Sequence, residues 1–102
     1  MEDKDFAMRL AKLREQKGVS ARDMSLSIGQ NPGYINSIET GKIKPSMDTF
    51  FFICEYLGVT PSEFFDTEIS NPTKLNSLIK NMKKLDNQKI EVLYMLVEEM
   101  IK

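Results

Sequence analysis

The stretch from residue 20 to residue 45, SARDMSLSIGQNPGYINSIETGKIKP, constrains the fold of this chain more than any other. Ser20 is a good N-cap residue, so a helix is predicted to begin there. Gly29 can adopt the left-handed conformation that ends a helix. Asn31 followed by Pro32 predicts a second start, with Asn31 at the N-cap and the proline at the first helical position. The stretch therefore predicts two short helices separated by a tight turn.

The apolar residues of this stretch give each predicted helix one inward face. Met24 and Ile28 are four positions apart in the first helix, and Ile35 and Ile38 are three positions apart in the second. Such spacings place apolar side chains on one side of a helix. Two short helices joined by a glycine-containing turn form a helix-turn-helix unit, whose second helix can enter the major groove of DNA.

The rest of the chain shows the same helical spacing, interrupted by capping residues. Phe6, Leu10 and Leu13 share one face of a first helix, and Thr60 with Pro61 behind it predicts a short helix that ends near residue 65. A linker over residues 66–72 precedes a predicted helical hairpin. Helices are predicted over residues 5–17, 20–28, 31–40, 47–57, 60–65 and 72–85, with a last helix capped by Asp86.

Composition excludes several classes of function. The length of 102 residues suffices for one modest core and a small appendage. The single cysteine, Cys54, cannot form an internal disulfide, and no signal peptide or long apolar run is present, so a cytoplasmic protein without a membrane segment is expected. Histidine is absent, which with one cysteine removes most zinc sites and the Ser-His and Cys-His nucleophile systems. No cofactor, metal or small-molecule ligand is expected, and an enzyme is the weakest hypothesis.

The net charge of −1 conceals an uneven distribution along the chain. Residues 9–44 carry seven basic and three acidic residues, whereas residues 45–69 carry five acidic residues and no basic one. This split indicates a polarised surface whose positive side is available to phosphates. The alternative is that these charges only form solvated faces, and the charges alone do not separate the two interpretations.

Four segments of the chain carry a family resemblance: LREQKGVS at 13–20, IG at 28–29, YINSIETGKIKPS at 34–46 and LGVTPSEFF at 57–65. In this order and spacing they resemble the phage Cro and repressor type of helix-turn-helix domain, also called the xenobiotic-response-element family. The resemblance covers about residues 6–66. It implies an all-α fold with a five-helix DNA-binding domain at 1–66, a dimer on a roughly palindromic operator, and transcriptional control. The two-helix hairpin at 67–102 then dimerises or completes the core.

The resemblance also implies roles for particular residues. In that family a buried ion pair commonly joins the end of the first helix to the end of the third, and Arg14 and Glu39 occupy the matching positions; two exposed charges are the alternative. Phage repressors of this kind often carry glutamine where Pro32 and Gly33 stand, so this chain departs from the pattern there. For Tyr34, packing over the turn is the alternative to a contact with DNA. The predicted base-reading residues are Gly33, Tyr34, Asn36 and Ser37, and the predicted phosphate-contacting residues are Arg22, Gln30, Asn31, Thr40, Lys42 and Lys44.

Two functional hypotheses of different classes follow. The first is a sequence-specific transcriptional regulator that binds double-stranded DNA as a homodimer and represses by occluding its operator, with residues 31–40 in the major groove. The second is an antitoxin-like or adaptor module whose C-terminal hairpin holds a partner protein. The homodimer and the partner-binding module both rest on the apolar surface of the last helix beyond what one stripe needs, and the sparse base-reading face also supports the second hypothesis. The residues predicted for the dimer or partner surface are Tyr94, Val97, Met100 and Ile101.

Overall fold

The computed structural model describes residues 3–102. Over that range the regular secondary structure consists of α-helices joined by loops, which confirms the all-α prediction. Helices α1 to α5 pack around one core, and two further helices follow. The seven helices are α1 (Asp3–Lys17), α2 (Ala21–Ser27), α3 (Tyr34–Glu39), α4 (Met47–Leu57), α5 (Pro61–Phe65), α6 (Pro72–Met82) and α7 (Asn87–Met100).

The core draws on all five of the first helices. α1 and α3 each contribute two residues to the core cluster, and α4 contributes four along one face. Complete burial of one leucine, isoleucine, methionine or phenylalanine side chain stabilises a fold by about 1.5–3 kcal/mol. The core cluster comprises Leu10, Leu13, Met24, Ile35, Ile38, Phe50, Ile53, Cys54, Leu57, Val59 and Phe64.

Most helices begin where a capping side chain predicts. Each cap accepts a hydrogen bond from the backbone N–H three residues later, and Thr60 forms a complete capping box with Glu63. Because these bonds satisfy N–H groups that have no partner inside the helix, they fix the helix starts. The capping residues are Ser20, Ser46, Thr60, Asn71 and Asp86.

The third helix is shorter than predicted, because Asn31 and Pro32 form a turn instead of its first residues. The Asn31 carbonyl accepts from the Tyr34 N–H at 3.1 Å, and the Asn31 side chain accepts from the Gly33 N–H at 3.1 Å. Gly33, with φ −93° and ψ 3°, has the conformation of the third residue of a type I turn. An asparagine side chain that bonds its own turn competes with helix formation. α3 therefore begins at Tyr34 and not at Pro32.

Two other predicted boundaries are also wrong. α1 begins at Asp3, two residues before the predicted start. α6 ends at Met82, three residues early, because the N–H groups of Lys84 and Leu85 bond carbonyls only three residues back. That tightened turn leads directly into the cap of α7.

The molecule is elongated because α6 and α7 extend beyond the five-helix bundle. Its radius of gyration is 16.5 Å, against about 13 Å for a compact domain of this length, and its extents are 50 × 26 × 21 Å. Pro72, at the start of α6, is fully buried. In α7 no residue is buried. Only the beginning of the C-terminal helix pair is therefore anchored in the bundle.

Candidate nucleic-acid interface

Ser25 fixes the angle between the two helices of the helix-turn-helix unit. Its side chain is fully buried; Oγ donates to the Ala21 carbonyl at 2.7 Å and accepts from the Ile35 N–H at 2.9 Å. Ile35 lies in the first turn of α3, where N–H groups have no partner within the helix. A side chain of α2 thus provides the missing partner and orients α3.

Two glycines close the helices on either side of the turn. Gly29 and Gly41 have φ values of 77° and 78°, a region that other residues rarely adopt. After each glycine the next N–H bonds back to a helix carbonyl: Gln30 to Ser25, and Lys42 to Ser37. These are Schellman motifs, and the second one starts the 41–46 loop directly at the end of α3.

Arg14 and Glu39 are joined across the bundle, as the family resemblance implies. Arg14 Nε donates to Glu39 Oε2 at 2.7 Å and Nη2 to Oε1 at 3.0 Å, while Nη1 donates to the Val19 carbonyl at 2.9 Å. The side chains are only 15% and 11% exposed. The bond to Glu39 raises the pKa of Arg14. This two-pronged pair turns the Glu39 carboxylate away from solvent and connects the end of α1 to the end of α3.

The predicted base-reading residues lie on α3 and the turn before it. Asn36 is exposed, Ser37 is half-buried, and Gly33 is exposed at the N-cap. Tyr34 is half-buried and packs against the core, so its ring has a structural role whatever its hydroxyl contacts. Asn36 is the exposed α3 side chain suited to bidentate hydrogen bonding with adenine.

The predicted phosphate-contacting residues surround α3. Thr40 donates to the Asn36 carbonyl at 2.8 Å, and the Asn31 side chain caps the turn, so both also support the local backbone. Lys44 Nζ lies 2.9 Å from Asp3 Oδ2 in a pair that is mostly exposed. Such a surface pair contributes little stability and leaves the ammonium available to a phosphate. Arg22, Asn31, Thr40, Lys42 and Lys44 are exposed, and Gln30 is half-buried.

Arg9 belongs to the basic segment of the sequence but not to its surface. The residue is 5% exposed, and its guanidinium donates to main-chain carbonyls of α5 and of the connection after it, starting with that of Phe64 at 2.6 Å. Burial lowers its pKa, and the negative charge of Asp66 partly offsets this effect. The exposed basic residues of the segment are Lys12, Lys17, Arg22, Lys42 and Lys44.

Sequence reasoning missed both Arg9 and Ser25, although helical spacing points to them. Arg9 falls between Phe6 and Leu10 in an i, i+3, i+4 pattern, and Ser25 lies four residues after Ala21 and beside Met24. Both were missed because a polar residue on an inward face requires a hydrogen-bond partner that the sequence does not reveal.

Within residues 3–102, no three acidic, cysteine or histidine side chains are grouped so that they could hold a metal ion. No helix in the same range is long and apolar enough to cross a membrane.

Comparisons with known proteins agree with this geometry. A model of the helix-turn-helix family matches residues 10–64, more than half of the chain. The chain is 25% identical over 97 residues to the cryptic phage CTXphi transcriptional repressor RstR of Vibrio cholerae, covering 94% of this chain and 87% of the relative. No solved structure matches at a significant level. The structure agrees with these matches, because α2 and α3 are held as one unit and the exposed face of α3 lies beside a lysine-bearing loop. The chain belongs to the Cro/C1-type helix-turn-helix family of DNA-binding transcriptional regulators and is not an enzyme.

Proposed function

We propose that this protein represses transcription as a homodimer that occludes a roughly palindromic operator, with α3 of each protomer in the major groove. The observation that carries the proposal is α3 itself, which Ser25 and the Arg14–Glu39 pair hold rigidly while Asn36 stays exposed. The similarity to a protein named as a phage transcriptional repressor supports the direction of control. We place the protein in the cytoplasm, with the DNA that it binds.

The exposed C-terminal helices support the homodimer. Tyr94, Met100 and Ile101 are 62%, 67% and 72% exposed, and Val97 is 44% exposed. Exposing this much apolar surface to water is unfavourable, and association removes that cost by burying the surface. A specific interface needs about 800 Å² from each partner, which two exposed helices can provide. A second copy of the same chain meets that need with the same surface on both sides.

Binding to a selected operator tests the DNA-binding half of the proposal. The full chain would select its site from random double-stranded DNA, and affinity would be measured by fluorescence titration. Because one bidentate base contact contributes about 1–3 kcal/mol of discrimination, Asn36→Ala with Ser37→Ala should weaken specific binding by roughly 100-fold or more in a dimer.

The matched control is Asn81→Ala, which removes an exposed asparagine from α6, outside the helix-turn-helix unit. It should bind as the wild type does. Undiminished specific binding by the Asn36/Ser37 variant, with both proteins folded, would refute this reading face.

Sedimentation of a surface variant tests the homodimer. Tyr94→Lys with Val97→Lys places charges on the exposed apolar face of α7 and should convert the dimer to a monomer that still binds a single half-site weakly. Glu91→Lys, an exposed charge change on the same helix, should leave the dimer intact. A wild-type chain that stays monomeric at micromolar concentration would contradict the homodimer and favour the antitoxin-like or adaptor alternative, in which α7 binds a different protein.

A further inference from the structure

Arg9 ties α1 to the segment that connects the two parts of the molecule. Its Nε donates to the Phe64 carbonyl at 2.6 Å, and Nη2 lies within hydrogen-bond distance of three further carbonyls. Two of the four acceptors are in the last residues of α5, and two are in the non-helical connection before α6. The further acceptors are the carbonyls of Glu63 at 3.0 Å, Asp66 at 3.0 Å and Ile69 at 3.1 Å.

A second set of bonds holds the first turns of α6. Gln16 Nε2 donates to the Ser70 carbonyl at 2.7 Å, and Thr73 Oγ1 donates to the Leu57 carbonyl at 2.6 Å. Asn76 Nδ2 donates to Glu63 Oε2 at 2.9 Å and lies 3.3 Å from the Gly58 carbonyl. We call Arg9, Gln16, Thr73 and Asn76 the connector residues.

The connector residues bond mainly to main-chain carbonyls, which distinguishes them from ordinary packing contacts. An unrestrained non-helical connection between α5 and α6 would let the C-terminal helices take many orientations. Bonds from α1 to this backbone and bonds from α6 to the end of α4 and to α5, with buried Pro72 at the junction, restrict the connection to one orientation. α6 therefore leaves the bundle in a fixed direction.

We propose that the connector residues set the spacing between operator half-sites that the dimer accepts. The inference rests on the proposed function, in which α6 and α7 carry the dimer interface. In such a dimer the distance and angle between the two α3 helices depend on how each bundle is attached to the shared interface. Each added base pair shifts a half-site by about 3.4 Å and turns it by about 34° around the duplex, so a rigid attachment accepts a narrow range of spacings.

The test compares operators that differ only in spacing. Starting from the operator selected by the wild-type chain, two base pairs would be inserted or deleted between the half-sites. Two-site binding gains at least about 100-fold over one site only when the geometry allows both contacts, so the wild type should lose roughly that factor on the altered operators. The variant Gln16→Ala/Thr73→Val/Asn76→Ala keeps Arg9 and the core. It should lose less than about tenfold on the altered operators, because a freer attachment of α6 still lets both bundles contact their half-sites.

Controls separate this role from folding and from dimerisation. Ser77→Ala removes an exposed hydroxyl from the same helix and should keep the narrow spacing preference of the wild type. The triple variant should remain a dimer by sedimentation and should bind an isolated half-site with unchanged affinity. Arg9→Lys, which keeps the charge but not the forked donors, should broaden spacing tolerance in the same direction.

The outcomes are distinct. A folded, dimeric triple variant that discriminates spacings as sharply as the wild type overturns the connector proposal alone. A wild-type chain that binds no operator, or binds one half-site as a monomer, overturns the proposed function and this inference with it. Broadened tolerance in the triple variant and in Arg9→Lys, with Ser77→Ala unchanged, supports the proposal.

Discussion

Arg9 and Ser25 are polar side chains on the inward faces of α1 and α2, and both are buried because backbone groups complete their hydrogen bonds. An unpaired buried polar group costs about 1–3 kcal/mol, so each position depends on partners contributed by another part of the chain. For Ser25 the partner on α3 is the N–H of Ile35, and for Arg9 the partners are carbonyls more than 50 residues away. Such residues determine how helices are placed relative to one another.

At the same scale, the Arg14–Glu39 pair should show strong coupling in a double-mutant cycle. Removing either partner leaves a mostly buried charge unpaired, so Arg14→Ala and Glu39→Ala should each lower the free energy of unfolding by about 2–4 kcal/mol. The double variant should cost clearly less than the sum of the two, as measured by urea denaturation.

The control is the ion pair of Lys102 and Glu99. Lys102 Nζ lies 2.8 Å from Glu99 Oε1, but these side chains are 72% and 70% exposed. Its coupling should be below about 0.5 kcal/mol. Equal coupling in the two pairs would show that burial does not strengthen the Arg14–Glu39 interaction.

At the scale of elements, α5 links the bundle to α6 through one carboxylate. The Thr60 N–H donates to Glu63 Oε1 at 2.9 Å, and Asn76 donates to Oε2 at 2.9 Å. These bonds, the one from Thr60 first, hold the pKa of Glu63 below its ordinary value. The ionised carboxylate therefore serves both as half of a capping box and as an anchor for α6.

This lowered pKa predicts acid sensitivity at the junction of α5 and α6. A carboxylate with a lowered pKa in the folded state contributes stability above its unfolded pKa of about 4.3, and this stability is lost as the pH falls through the folded value. Between pH 6 and pH 3 the protection of the α5 and α6 amides against hydrogen exchange, corrected for the intrinsic pH dependence of exchange, should therefore fall more in the wild type than in Glu63→Gln. Glu68→Gln, an exposed neighbour, should follow the wild type, whereas parallel curves for wild type and Glu63→Gln would contradict this role.

The elements were largely predictable from the sequence, because capping residues and glycines act locally. Ser46 and Asp86 mark helix starts with their own side chains, and Gly29 and Gly41 mark ends through a backbone conformation. The prediction for the start of α3 is wrong because an asparagine can either cap a helix or close a turn, and here the Asn31 side chain closes a turn by accepting from the Gly33 N–H.

At the scale of the whole molecule, the direction in which α6 and α7 leave the bundle could not be predicted. It depends on hydrogen bonds to carbonyls, and every residue carries a carbonyl, so no sequence pattern identifies the acceptors. The exposed face of α3 can be predicted from the sequence. The DNA bases that this face contacts cannot, since Asn36 and Ser37 can each contact more than one base.

In the proposed dimer, the basic residues around α3 predict a specific salt dependence. Each phosphate contact adds about 0.9 to the slope of log affinity against log salt, so one lysine replaced in both protomers should reduce its magnitude by about 2. Lys42→Ala and Lys44→Ala should each show this loss in titrations at several salt concentrations. Lys89→Ala, at the exposed start of α7, should leave the slope unchanged; an equal effect there would indicate that the positive charges act only through their total.

The exposed apolar side chains of α7 have a consequence for the response of such a regulator to its own abundance. Below the dissociation constant of the proposed dimer, most free chains are monomers; the low occupancy of an operator that only the dimer binds then rises with the square of the chain concentration, by mass action. A twofold fall in concentration then empties the operator about as effectively as a fourfold fall would for a monomeric binder. The apolar surface of one helix would thereby give the gene under control a sharp threshold.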